Sequence, residues 1–210
     1  MHYTLTNAHR KLKCRRGTWR SKNHIPSILL MTDEKRLANP EKAAESLPRG
    51  AGIIFRHYED PNRIDIARRL QAICRRRGLL FIVGGDWKLA ARLDADGLHL
   101  PLFALKDRAV QPGARLWQRQ GRKILTAAAH GIAEVRRAKE MQADAAVLSP
   151  VFRTKSHPNR RPLGPLRCAS IAHRIHIAIV LLGGIDERTF AALPQTSCVG
   201  IAGIGFVSPS

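Results

Sequence analysis

Residues 81–100 read FIVGGDWKLAARLDADGLHL. The stretch opens on the end of an apolar run, Leu79–Val83, which stops at Gly84–Gly85–Asp86. Trp87–Leu93 follows, with Trp87, Leu89, Ala90 and Leu93 at helical spacing. After the polar Asp94–Ala95–Asp96, a second apolar run begins at Gly97–Leu100. Strand, turn, helix and strand make one βα unit with the start of the next. The apolar runs are continuous rather than alternating. Strands buried on both faces read this way, so the sheet is expected to be parallel and covered by helices.

Outward from this stretch the same unit recurs. Towards the N-terminus, Ser27–Thr32 and Ala51–Arg56 are strand candidates, followed by the helical patterns Pro40–Leu47 and Pro61–Arg77. Towards the C-terminus, Lys123–Ala128, Ala145–Leu148, Ile177–Leu182 and Cys198–Ile204 are strand candidates. Their helical partners are Phe103–Gln120, interrupted at Pro112–Gly113, then Ile132–Met141, Leu166–His173 and Glu187–Leu193. Eight units in about 180 residues predict a (β/α)8 TIM barrel, more compact than the ~250 residues usual for that fold. An open doubly wound sheet is the competing arrangement, and the count of eight selects the barrel. Six residues follow Ile204, so a truncated last helix is expected.

The chain has 210 residues, 36 Lys+Arg and 16 Asp+Glu, for a formal net charge of +20. That excess invites a nucleic-acid reading, so its location matters. Seven basic residues and no acidic one fall in residues 1–26. This segment has no apolar core of a secretory signal, and it is read as a basic, disordered extension preceding a barrel of residues 27–207. A second cluster, Arg63, Arg68, Arg69 and Arg75–Arg77, is interleaved with Ile66, Ala67, Leu70, Ile73 and Cys74. That spacing makes the arginines the solvated face of an amphipathic helix. No aromatic residue interleaves with them as a base-stacking surface would require. No apolar run reaches the ~20 residues of a membrane span. Four widely spaced cysteines, with no CxxC pair, argue against a disulfide framework or zinc site and for a cytoplasmic location.

In a barrel of this kind the functional groups lie at the C-terminal strand ends. Glycines cluster there after the last two strands, at Gly183–Gly184 and Gly203–Gly205, where backbone N–H groups can hold phosphate. The loop Pro150–Gly164 adds Arg153, Lys155, Arg160 and Arg161 with two hydroxyls, which suits a phosphorylated substrate.

These residues resemble the thiamine phosphate synthase and TenI superfamily over roughly residues 27–206. SILLMTD resembles its first strand, FIVGGDWKLAARLDADGLHL its third and fourth, and TAAAHGIAEVRRAKEMQADAAVLSPVF its fifth and sixth. RTKSHPNRRPLG resembles its substrate loop and LLGGI its phosphate turn. The resemblance implies a (β/α)8 enzyme of thiamine biosynthesis. Such a synthase couples hydroxymethylpyrimidine pyrophosphate to thiazole phosphate and releases pyrophosphate, with Mg²⁺ held by carboxylates. By the same resemblance Arg56 and His130 are catalytic candidates. Arg56, Thr154, Ser156, His157, Gly183, Gly184 and Gly203 are the substrate- and phosphate-binding candidates, and His99 matches the histidine after the fourth strand.

The chain also departs from the family pattern. Ile54 and Tyr58 stand for a glutamine and a lysine, and Ala128 and Ala202 for two serines. His157 stands for the loop lysine. Gly84 and Gly85 stand for the Asn-Asp pair, and Ala104 falls near the second metal-ligand aspartate. Asp86 is the remaining candidate Mg²⁺ ligand, with Asp33 and Asp107 as substitutes. A TenI-like thiazole tautomerase, which needs no metal and uses the histidine at position 130 as acid/base, is the alternative, along with a catalytically degenerate phosphate-binding paralogue. A basic nucleic-acid-binding protein is the further alternative from outside the family. The expected partners are small phosphorylated substrates, not nucleic acid or membrane.

Overall fold

A computed structural model describes residues 24–121, 123–154, 160–193 and 198–204 of the chain. Eight strands, β1 (Ile28–Met31), β2 (Gly52–Phe55), β3 (Leu80–Gly84), β4 (Gly97–Leu100), β5 (Ile124–Ala129), β6 (Ala145–Leu148), β7 (Ala178–Leu182) and β8 (Gly200–Gly203), pair in sequence order. Each neighbour is parallel, and β8 pairs with β1 through Ile28↔Ile201 and Leu29↔Ala202, which closes the barrel. The described helices are α1 (Pro40–Glu45), α2 (Arg63–Arg77), α3 (Trp87–Arg92), α4 (Leu102–Lys106), α5 (Val110–Arg119), α6 (Ile132–Glu140), α7 (Pro165–Ile175) and α8 (Glu187–Phe190). The barrel predicted from the sequence is therefore the observed fold.

The continuous apolar runs divide by side-chain parity, because neighbouring strand residues point to opposite faces. Leu29, Met31, Ile54, Ile82, Val147 and Val180 pack in one cluster that fills the barrel. Ile28, Leu30, Ile53, Phe55, Phe81 and Val83 belong to the other, between barrel and helices. Both sets are almost fully buried. Ile25 joins the first cluster, and the Pro26 ring lies against Gly52. Those two residues, assigned to the extension by sequence, are thus part of the packed barrel. Residues 1–23 lie outside the described part.

Two acidic residues that look like solvent-facing turn positions tie strands together. Asp96 Oδ2 accepts the Phe81 N–H at 2.8 Å, and Asp144 Oδ2 accepts the Leu125 N–H at 2.8 Å. Each precedes its strand by one residue, in Ala95–Asp96–Gly97 and Ala143–Asp144–Ala145. The arginines of α2 pair mainly with α1: Arg69 with Glu41 at 3.0 Å, and Arg76 and Arg77 with Glu45. Exposed pairs of this kind stabilise little, and they set three arginines of that cluster against carboxylates of the neighbouring helix.

One boundary differs from the sequence reading. The helical segment 103–120 is broken at Asp107–Ala109, not at Pro112–Gly113. Pro112 sits in the first turn of α5, where its missing N–H has no intrahelical acceptor to lose. Asp107 makes the break, its Oδ1 accepting the Ala109 N–H at 2.8 Å. The truncation expected after the eighth strand falls on residues 205–210, outside the described part.

Candidate active site

The C-terminal strand ends surround a cavity of about 490 Å³. Met31, Val147, Leu182 and Ala202 form its apolar floor. On one side are Gly183, Gly184 and Gly203, with Thr154 from the loop after β6. On the other are Arg36, Arg56 and Tyr58, from the loops after β1 and β2. His99 and His130 line the wall between them. Of the sequence-predicted residues, Arg56, His130, Thr154, Gly183, Gly184 and Gly203 therefore share one cavity. Ser156 and His157 lie outside the described residues.

The glycine side is sterically exacting. Gly183 has φ +102° and Gly184 φ +67°. A Cβ on Gly184 would meet the Arg153 carbonyl oxygen and would lie 2.8 Å from Phe152 Cβ. Only glycine lets the chain turn left-handed there while touching the neighbouring loop.

The arginine side is a fixed cluster. Arg56 donates its Nε to the Thr32 carbonyl at 2.8 Å, and its backbone N–H goes to Thr32 Oγ1 at 2.8 Å. Its Nη2 is 3.4 Å from Asp33 Oδ2, while Arg36 Nη2 is 2.7 Å from the same oxygen. Asp33 Oδ1 in turn accepts the backbone N–H groups of Lys35 and Arg36. Burial pushes the Asp33 carboxyl up, but the Arg36 hydrogen bond and the charges of Arg36 and Arg56 outweigh it, leaving it below the usual carboxylate range.

The two wall histidines differ. His130 Nδ1 is 2.9 Å from the Ser149 carbonyl oxygen. A carbonyl only accepts, so Nδ1 carries a proton, and in the neutral ring this puts the lone pair on Nε2. His99 is almost fully buried, with Nδ1 2.9 Å from Thr126 Oγ1. Burial, helped by the Arg56 charge, pulls its pKa down to about 3. It is a neutral imidazole at any ordinary pH.

The sequence-predicted carboxylates are occupied elsewhere. Asp86 caps α3, its Oδ1 accepting the Leu89 N–H at 2.9 Å, and it stands outside the cavity lining. Asp107 is engaged at the α4–α5 break, and Asp33 is held between arginines. At Gly84 a Cβ would lie 2.8 Å from the Phe55 carbonyl oxygen and 3.1 Å from the Tyr58 hydroxyl. Tyr58, edge-on to Phe103, fills this corner. Among the described residues no three His, Cys, Asp or Glu side chains gather as a metal site would require. Arg153, Arg160 and Arg161 are exposed and outside the lining, and Lys155 lies outside the described residues.

Arg36 is the cavity residue that the sequence reading missed. Its signal was local: it follows Asp33 by three residues in the loop after β1, a spacing that lets the two side chains meet.

Residues 28–207 match the family described as "Thiamine monophosphate synthase". The thiamine-phosphate synthase of Bacillus mycoides is 33% identical over 195 residues, covering 88% of this chain and 85% of that enzyme. That of Bacillus velezensis is 28% identical over 196 residues, covering 89% and 85%. Among solved structures, a thiamine phosphate pyrophosphorylase from Pyrococcus furiosus superposes with a TM-score of 0.67 at 23% identity, covering 84% of each chain. That likeness is one of fold. No described helix is long and apolar enough to cross a membrane. With its closed eight-stranded barrel and its family match over nearly the whole of that barrel, the chain belongs to the thiamine monophosphate synthase family.

Proposed function

We propose that the chain is a working thiamine phosphate synthase, joining hydroxymethylpyrimidine pyrophosphate to thiazole phosphate. The C–O bond between the pyrimidine methylene and the pyrophosphate breaks, and the electron pair leaves with pyrophosphate. The thiazole nitrogen lone pair then forms the new C–N bond to the methylene cation. The observation that carries this reading is the two-ended cavity. Gly183, Gly184 and Gly203 with Thr154 offer backbone and hydroxyl donors for the thiazole phosphate. Arg36 and Arg56 offer guanidinium groups to the anion that departs. The apolar floor between them suits two flat heterocycles. In the same proposal Ser156 and His157 are further substrate-binding residues, residues 25–207 are the catalytic unit with residues 1–24 as an extension, and the location is cytoplasmic.

Mg²⁺ is the cofactor that the family implies, and the described donors fit it poorly. A hard divalent cation takes oxygen ligands, and the corner where they are expected holds Gly84, Gly85 and the ring of Tyr58. Asp86 is engaged in its helix cap.

The test is to incubate the full chain with both precursors, with and without Mg²⁺, and to follow thiamine phosphate by chromatography. No product above background under either condition sinks the synthase reading.

The fixed tautomer of His130 favours a second reading, a TenI-like thiazole tautomerase. A lone pair held on Nε2 by the Ser149 carbonyl suits proton transfer at a substrate carbon. Isomerisation of the thiazole carboxylate phosphate, followed by absorbance, would reveal it.

A further inference from the structure

Arg36 and Arg56 come from different loops, yet both aim an Nη2 at one oxygen, Asp33 Oδ2, at 2.7 and 3.4 Å. Two members of the cluster are anchored by backbone, and Arg36 is held through Asp33. Arg56 is pinned through its Nε to the Thr32 carbonyl, and Asp33 through its Oδ1 to two main-chain N–H groups. Both guanidiniums reach the cavity wall. Two guanidinium groups thus meet at one carboxylate on the edge of the cavity. Beside Arg56, at the end of the neighbouring β3, the position expected to bring carboxylates brings Gly84 and Gly85 against the Tyr58 ring.

We propose that Arg36 and Arg56 form a metal-independent clamp for a pyrophosphate group, with Asp33 as the residue that positions both. The proposal deepens the synthase reading and rests on it. Guanidinium pairs recognise phosphate oxygens bidentately and stay charged at every ordinary pH. They can therefore neutralise a polyanion without a protein-held divalent cation. Arg36 contributes the second charge, so the clamp needs residue 36 as much as residue 56. Arg63, the third guanidinium at that corner, is turned onto the Phe55 and Tyr58 rings, donates to the Gly84 carbonyl oxygen at 2.8 Å and stands outside the cavity lining.

Calorimetric titration of the full chain with inorganic pyrophosphate tests this, once in chelator and once with pyrophosphate already saturated by Mg²⁺. The expected result is binding in chelator at least as tight as with Mg²⁺. Arg36→Ala should weaken that binding by about tenfold or more, as loss of a hydrogen bond between charged groups does. Arg36→Lys should recover part of it. Binding that appears only with Mg²⁺, or an Arg36→Ala chain that binds like the parent, overturns the clamp. The synthase reading fails separately, through absent thiamine phosphate. Metal-free, Arg36-dependent binding without turnover upholds the clamp's anion chemistry and removes only the synthase assignment.

Discussion

His130 presents Nδ1 to the carbonyl oxygen of Ser149, 2.9 Å away across the gap between the ends of β5 and β6. The Ser149 hydroxyl lies 3.2 Å from the same nitrogen. A backbone acceptor sets the tautomer, and no substitution at position 149 removes that carbonyl. His130 is thereby held on the wall of the cavity with Nδ1 protonated, and in the neutral ring the lone pair lies on Nε2.

His130→Ala should therefore abolish proton transfer while leaving the barrel intact. If the chain isomerises the thiazole, kcat should fall by about 10²–10⁴-fold, the usual worth of a positioned acid/base, with KM little changed. Ser149→Ala should cost far less, since the carbonyl remains. Steady-state kinetics of the two variants separate these effects. Equal losses in both would show that the hydroxyl, not the carbonyl, controls the imidazole.

The barrel was legible because its evidence is repeated. Eight apolar runs with helical partners survive errors of several residues in their details, such as the helix break placed at Pro112 instead of Asp107. The glycine turn and Arg56 were legible too, because strand ends converge once the barrel is assumed. The roles of the aspartates were not. Asp86, Asp96 and Asp144 look alike in sequence, yet one caps a helix and two tie strands together. Which backbone N–H lies in front of a carboxylate is a tertiary fact. Arg36 was missed for the same reason, as its place in the cavity depends on how the loop after β1 folds over Asp33.

Gly184→Ala should damage the phosphate end directly. The residue sits at φ +67°, and its new methyl group would press on the Arg153 carbonyl oxygen and Phe152 Cβ. Left-handed backbone costs a non-glycine residue about 1 kcal/mol or more, and the clash adds to it. The loop after β6 must move away, which misplaces Thr154. Thermal melts should show a lower Tm, and titration with thiazole phosphate should show weaker binding. A variant with parental Tm and affinity would remove the turn from the phosphate site.

Restoring a carboxylate at the glycine corner should not restore metal dependence. Gly85→Asp puts a side chain at φ +74°, with its Cβ 3.1 Å from the Tyr58 ring. The expected outcome is destabilisation by about 1 kcal/mol, with no gain in Mg²⁺-stimulated turnover. Combining it with Tyr58→Ala opens the space and should recover part of the lost stability. Chemical denaturation and a Mg²⁺ titration of activity check both statements. Strong Mg²⁺ stimulation of the single variant would mean that Tyr58 yields easily and the corner is still a metal site.

His99 should make the barrel acid-sensitive. Burial first, and the Arg56 charge second, lower its pKa to about 3, against 6.5 for the free side chain. Below about pH 6.5 the unfolded chain therefore takes up a proton that the native chain refuses. By linkage, stability is complete above that pH and falls as pH drops from about 6.5 towards 3, by up to ~1.4 kcal/mol per pH unit for one proton. His57, also lowered chiefly by burial, acts in the same direction. His99→Gln can keep a hydrogen bond to Thr126 but has no proton to take up. Its stability should consequently fall less steeply between pH 6.5 and pH 4, by about the slope of one proton. Urea denaturation at half-unit pH steps measures this. Parallel curves for parent and variant would show that His99 ionises in the native barrel, and that its burial is less complete than its contacts with β5 imply.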